Sequence, residues 1–177
     1  VPAWFAVAAG AFDMVLRAGG LAERIEARLC EGGSGSLEDV RSWIAGVGLP
    51  NDLREAIVEA LRACMPADAF VAVRSSAVGE DGTGQSFAGL HDSYLYVRGT
   101  EDVLAAIRRV WASAFNARAV SYRRARGLPV RDISVAVIVQ QMIEASISGV
   151  MFTANPVTHN VREVVISAVP GAGEGLV

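Results

Sequence analysis

The sequence contains no lysine: all 16 of its basic residues are arginine. Chemistry that needs a lysine amine, such as a Schiff base or the phosphate-binding lysine of a Walker A loop, must find it outside this chain. Cysteine and histidine are nearly as scarce, two of each in 177 residues. That excludes a disulfide scaffold and leaves no spacing for a zinc site. Cys30 and Cys64 both follow helix-like segments and are expected as buried thiols in a reducing, cytoplasmic compartment. No apolar run approaches the roughly 20 residues of a membrane-spanning helix. The opening residues are apolar but lack a basic stretch and carry Asp13, so no signal peptide is expected. A formal net charge of −3 offers no bulk positive field to nucleic acid or to an anionic membrane. What is present is 52% hydrophobic residues against 20% charged. This is enough for a packed core and too few charges for a disordered chain.

Helical spacing dominates the first part. Trp4, Phe5 and Val7 suit a short buried strand. Phe12, Val15, Leu16, Leu21, Ile25 and Leu29 then recur at helical intervals, with Gly19-Gly20 separating two helices. After the EGGSGS turn, Ser36 and Asp39 resemble a capping box ahead of a helix carrying Leu37, Val40 and Ile44. Asp52 and Glu55 form a second such box, opening a helix that buries Leu53, Ile57, Leu61 and Cys64 and ends at Met65-Pro66. The pattern then changes. FVAVRSS (70–76) reads as a strand, 77–89 as a glycine-rich loop, and SYLYVRG (93–99) as a returning strand, together a hairpin with a long connection. Thr100 caps one long helix over 101–126, whose core face is Val103, Ile107, Val110, Trp111, Ala114 and Phe115. The runs 133–143, 146–156 and 162–173 read as strands of one antiparallel sheet covered by that helix.

Arg74 is the leading candidate for chemistry. A guanidinium fork at a strand end holds two phosphate oxygens at once, although a surface ion pair to Glu80 or Asp81 accounts for it equally well. The loop 77–89 is neither a Walker A loop nor a dinucleotide fingerprint, yet its backbone N–H groups can wrap anions. Gln140 ends an apolar strand where backbone and amide groups can read an adenine edge while Met142 and Ile143 pack on its face; a core methionine beside an outward glutamine is the plainer alternative. Glu163 and Glu174 lack further carboxylates at metal-ligand spacing, so no metal site is expected within the chain. His91 and His159 read as polar surface residues.

These residues fall within a longer set of strings. VRSSA (73–77), ED (80–81), SFAG (86–89), DS (92–93), WASAF (111–115), SYR (121–123), VQQM (139–142), SGVMFTANP (148–156) and GAGE (171–174) keep one order and spacing. VPAWFAV at the start looks like the strand pattern VPxGFxV. Together they resemble the nucleotide-binding domain of the phosphoenolpyruvate synthase and pyruvate phosphate dikinase family over nearly the whole chain. The resemblance implies an α+β, ATP-grasp fold, incomplete at both ends, with residues 1–138 in the first subdomain and 139–177 opening the second. It implies that Arg74 contacts the transferring phosphates, that Gly89 and Ser93 lie in and beside the loop over ATP, and that Gln140 sits at the adenine hinge. Arg123, in the SYR string, has no assigned role. ATP and Mg²⁺ are the implied cofactors.

Family members phosphorylate a histidine on a separate swivelling domain, which then meets an acceptor on a third. The acceptor is pyruvate in the synthases, which turn ATP, pyruvate and water into AMP, phosphoenolpyruvate and phosphate. Rifampicin phosphotransferases resemble the chain nearly as well, and glucan water dikinases share a related domain. The loop lacks the methionine-rich MPGMMDT character of pyruvate phosphate dikinase proper. The family's GGK lysine motif, its late carboxylate segment and its histidine domain are not found among these 177 residues. The chain is therefore expected to be a piece of a longer protein, binding ATP weakly and not turning over by itself. A non-catalytic nucleotide-binding remnant and a ligand-free α+β domain are the competing readings.

Overall fold

The computed structural model describes residues 1–31, 35–77, 92–130 and 133–173. It is a mixed α+β structure whose chain divides into two compact units, Val1–Met142 and Ile143–Val177. The first unit runs β1 (Trp4–Val7), α1 (Ala9–Ala18), α2 (Leu21–Glu31), α3 (Ser36–Gly46), α4 (Asn51–Cys64), β2 (Val71–Ala77), β3 (Ser93–Val97), α5 (Thr100–Ser113), α6 (Ala117–Ala125) and β4 (Val135–Gln141). The second holds β5 (Ile147–Phe152) and β6 (Val165–Pro170), an antiparallel pair.

Four strands of the first unit form an open sheet in the order β1-β4-β2-β3, antiparallel throughout. The period of two along each strand decides what it buries. Val71 and Val73 on β2 and Val135, Val137 and Val139 on β4 are buried, with half-buried residues between those on β4. Against them pack Phe12 and Val15 of α1 and Val103, Ile107, Val110 and Trp111 of α5, all buried in the same core. Each such side chain contributes about 1.5–3 kcal/mol of transfer free energy. One face of the sheet therefore belongs to the core. The other carries the alternate residues, including Arg74 and Gln140.

β2 and β3 form the expected hairpin, with one irregularity. Val71 pairs with Val97 but Val73 with Tyr94, so Leu95 and Tyr96 together oppose Ala72. Tyr96 sits at φ 55°, the left-handed conformation such a bulge accommodates.

Several expectations are corrected. The helix expected over 101–126 is two helices, because Asn116 leaves helical geometry (ψ 159°) and its side chain accepts from the Ala119 N–H at 2.8 Å, capping α6 anew. None of Ser36, Asp52 and Thr100 is a cap. Gly35, Pro50 and Gly99 occupy those positions, none with a side-chain cap bond, and Gly99 does so at φ 85°, ψ 152°, a conformation open to glycine. The three late strands do not share one sheet: β4 is an interior strand of the four-stranded sheet, whereas β5 and β6, among the described residues, form a two-stranded sheet of their own. Cys30 is exposed and Cys64 half-buried rather than buried. Helix α2 points Leu21 and Ile25 inward, and Cys30 lies off that stripe. Trp4 is 53% exposed, since Val7 takes the core side of β1 with the half-buried Phe5 packed against it.

Candidate functional site

Register brings together side chains far apart in sequence. On the face away from α1 and α5, Arg74 of β2 stands directly opposite Ser93 of β3 on one side and Ile138 of β4 on the other, and Ile138 stands opposite Ala6 of β1. Arg74 and Ser93 are exposed. Among the described residues no acidic side chain pairs with Arg74, and its alternative partners Glu80 and Asp81 lie outside them.

One strand repeat along, about 7 Å away, a second row crosses the same face. Gln140 stands between Ala72 of β2 and Trp4 of β1. Beyond Ala72 lie the bulge residues Leu95 and Tyr96. Met142 follows Gln140 by two residues: its N–H donates to the Phe70 carbonyl at 2.9 Å and its Sδ accepts the Tyr96 N–H at 3.0 Å. The face is thus polarised along the strands, with a guanidinium and hydroxyl at one end and an amide, thioether and aromatic rings at the other. Arg74, Ser93, Gln140 and Met142 share one surface of the first unit. Gly89 and the rest of the glycine-rich loop from residue 78, with His91, lie outside the described residues.

A family model described as pyruvate phosphate dikinase, AMP/ATP-binding domain, matches residues 1–177. The chain belongs to this family. It is 36% identical over 188 residues to a probable phosphoenolpyruvate synthase of Methanocaldococcus jannaschii, covering 100% of this chain and 16% of that protein. It is 40% identical over 144 residues to the phosphoenolpyruvate synthase of Pyrococcus furiosus, covering 79% of this chain and 18% of the relative. To a rifampicin phosphotransferase of Streptomyces sviceus it is 44% identical over 139 residues, covering 78% of the chain and 16% of the relative. The chain thus spans less than a fifth of the length of each of these relatives.

In this AMP/ATP-binding domain the return from the loop into β3 is pinned to the core. Asp92 N–H donates to Ser113 Oγ at 3.1 Å, and that hydroxyl donates to the Val110 carbonyl at 2.7 Å. Ser113 is wholly buried on the last turn of α5, so its bond fixes the residue before Ser93. Ser113→Ala leaves the Asp92 amide without its acceptor. We expect a loss of about 1–2 kcal/mol in chemical denaturation and faster hydrogen exchange at Asp92; unchanged exchange there would contradict the anchoring role. Tyr94, on the core side, lies under the Arg109 guanidinium at 4.2 Å and its hydroxyl donates to Asp92 at 3.4 Å. Burial raises its phenol above the ordinary value and Asp92 adds to the rise, while Arg109 opposes it.

Other candidates have structural employment. Arg123 donates through Nε and Nη2 to the Pro129 carbonyl, at 3.3 and 2.9 Å, closing the loop after α6. Glu163 accepts from Asn155 and Asn160, each at 2.8 Å, and stitches the turn between β5 and β6. His159 lies exposed in that turn at φ 57°; Glu174 lies outside the described residues. Among the described residues no three acidic, histidine or cysteine side chains converge as a metal-ligand set, and no helix is long and apolar enough to cross a membrane. Two aromatic residues on the same face that sequence reasoning did not single out are Trp4 and Tyr96, whose only signal was an aromatic at an alternating strand position.

Proposed function

We propose that the chain is the ATP-binding part of a longer dikinase-type phosphotransferase, with Val1–Met142 as the first ATP-grasp subdomain and the chain from Ile143 opening the second. ATP lies along the outer face of the sheet. Arg74 grips phosphate oxygens through its fork and Ser93 donates beside it, while Gln140 reads the adenine edge and Met142 packs on the base. The glycine-rich loop, Gly89 included, covers the phosphates. Magnesium, when bound, neutralises phosphate charge, and no ligand set for it exists among the described residues. The phosphoryl group passes to a histidine on a separate domain in the cytoplasm, and from there to pyruvate, with AMP, phosphoenolpyruvate and phosphate as products.

The observation that carries this reading is the shared, polarised face: a cation without an acidic partner among the described residues stands one strand repeat from an amide that has the Trp4 indole opposite it. Its test is calorimetric titration of the full polypeptide with ATP and Mg²⁺. Saturable heat, competed by inorganic tripolyphosphate, is expected; a folded protein giving no heat with either ligand refutes the reading. A rifamycin acceptor is the second reading, favoured by the 44% identity to the Streptomyces sviceus phosphotransferase. An ATP-binding domain does not contact the final acceptor. Discharge of the phosphorylated protein by pyruvate but not by rifamycin, or the reverse, decides between them.

A further inference from the structure

Trp4 has no role in the family strings, and its surroundings are unusual. It sits on the sheet's outer face, at the start of the edge strand β1, rather than in the core, 53% exposed. The two other aromatic side chains of the first unit that are about half exposed among the described residues have partners. Phe70 and Tyr96 pack edge to face at 6.1 Å, and Arg98 lies over Phe70. Trp43 lies beneath Arg24 at 3.7 Å, and Trp111 is buried against Phe12. Among the described residues, neither a ring nor a guanidinium packs on Trp4.

Its position is fixed by register. Gln141 N–H donates to the Ala3 carbonyl at 2.9 Å, which makes Trp4 and Gln140 the close, non-hydrogen-bonded pair of the next rung, with Cα atoms about 4.5 Å apart. Ala6 two residues along β1 and Ala72 across β4 are small neighbours on this face, and Ile138 lies diagonally on β4. An indole that is open to solvent thus adjoins an amide able both to donate and to accept. A flat, electron-rich heterocycle with a hydrogen-bonding edge matches both groups at once: its face on the indole, its edge on the amide. The Arg74 row, one strand repeat away, lies on the side where the anionic end of such a ligand would run.

We propose that Trp4 is a nucleotide-binding residue, the platform on which the purine of bound ATP stacks. This rests on the reading of the chain as an ATP-binding domain and adds to it a specificity-determining contact from β1.

The test titrates the wild-type chain, Trp4→Phe and Trp4→Ala with ATP, adenosine and inorganic tripolyphosphate, following tryptophan emission and calorimetric heat. ATP and adenosine are expected to quench wild-type emission and to leave Trp4→Phe unquenched, because Trp43 and Trp111 lie away from this face. Trp4→Ala is expected to weaken ATP and adenosine binding about tenfold, to leave tripolyphosphate binding unchanged, and to melt near wild type. Trp4→Phe, which keeps a ring, is expected to recover most of the affinity. ATP binding with undiminished affinity in Trp4→Ala, or quenching that persists in Trp4→Phe, overturns the stacking role while leaving the ATP-binding reading intact. Failure of the wild type to bind either ATP or tripolyphosphate removes both.

Discussion

Replacing Arg74 by alanine is expected to lower phosphoryl transfer from ATP to protein by about 10³-fold or more, the scale on which arginine stabilises phosphoryl-transfer transition states. The fold should be unaffected. Arg74 is exposed, on the sheet face away from the core, and no acidic partner among the described residues is stranded by its loss; such surface changes usually fall within about 0.5 kcal/mol. Arg74→Lys keeps the charge but not the planar fork, so partial recovery is expected, well short of wild type. The measurement is the rate at which labelled phosphate from ATP appears as acid-labile phosphoprotein in the full polypeptide, beside a thermal melt of each variant. An alanine variant transferring phosphate within a few-fold of wild type would remove Arg74 from the chemistry.

The largest effect on stability is expected at Trp111. Its ring stacks on Phe12 of α1 with centroids 5.4 Å apart, and its Nε1–H donates to the Val135 carbonyl at 3.1 Å, so one buried side chain ties α5 to both α1 and the first residue of β4. Trp111→Ala removes that packing and leaves a cavity, at a cost of about 3–5 kcal/mol. Against a typical total of about 5–15 kcal/mol, this is enough to leave a large unfolded fraction near physiological temperature. Trp111→Phe keeps most of the apolar contact but leaves the Val135 carbonyl without its indole donor, so an intermediate loss is expected. Urea denaturation of the three proteins gives the order wild type, phenylalanine, alanine. A loss below about 1 kcal/mol for the alanine variant would show that the core closes around the gap. β4 also carries Ile138 and Gln140 and leads directly into Met142, so the stability of this anchor bears directly on the candidate site.

Local pattern in the sequence was enough for most elements. Phe12, Val15, Leu21 and Ile25 predict α1 and α2, and the face Val103, Ile107, Val110, Trp111, Ala114 and Phe115 is buried as its spacing demands. The break at Asn116 escapes that logic because Ala114 and Phe115 stay buried across it. An apolar period does not distinguish a continuous helix from two helices whose inward faces align. Cap positions failed for a related reason: a serine or aspartate near a helix start signals its neighbourhood, while backbone geometry chose Gly35, Pro50 and Gly99. The site was legible only piecewise. Arg74, Ser93, Gln140 and Met142 stand out through chemistry and resemblance. Their common face depends on pairing β1, β2, β3 and β4 across long stretches of chain, and strand register at that distance is a tertiary outcome. Trp4 was misread because alternation over four residues does not say which phase faces inward.

Counting along β3 shows what its extra residue achieves. Ser93 and Val97 are four apart, so in an unbroken strand they would project from the same side. Here Ser93 meets Arg74 on the open side while Val97 pairs with Val71 of the core, a parity change that the Leu95–Tyr96 insertion makes possible. Pairing all five residues in an unbroken ladder would force a choice. Either the serine keeps its place beside the guanidinium and the valine is turned out to water, or the valine stays inside and Ser93 is exchanged for Tyr94. One supernumerary peptide unit thus lets a five-residue strand serve the hydrophobic interior and the open face of the sheet together.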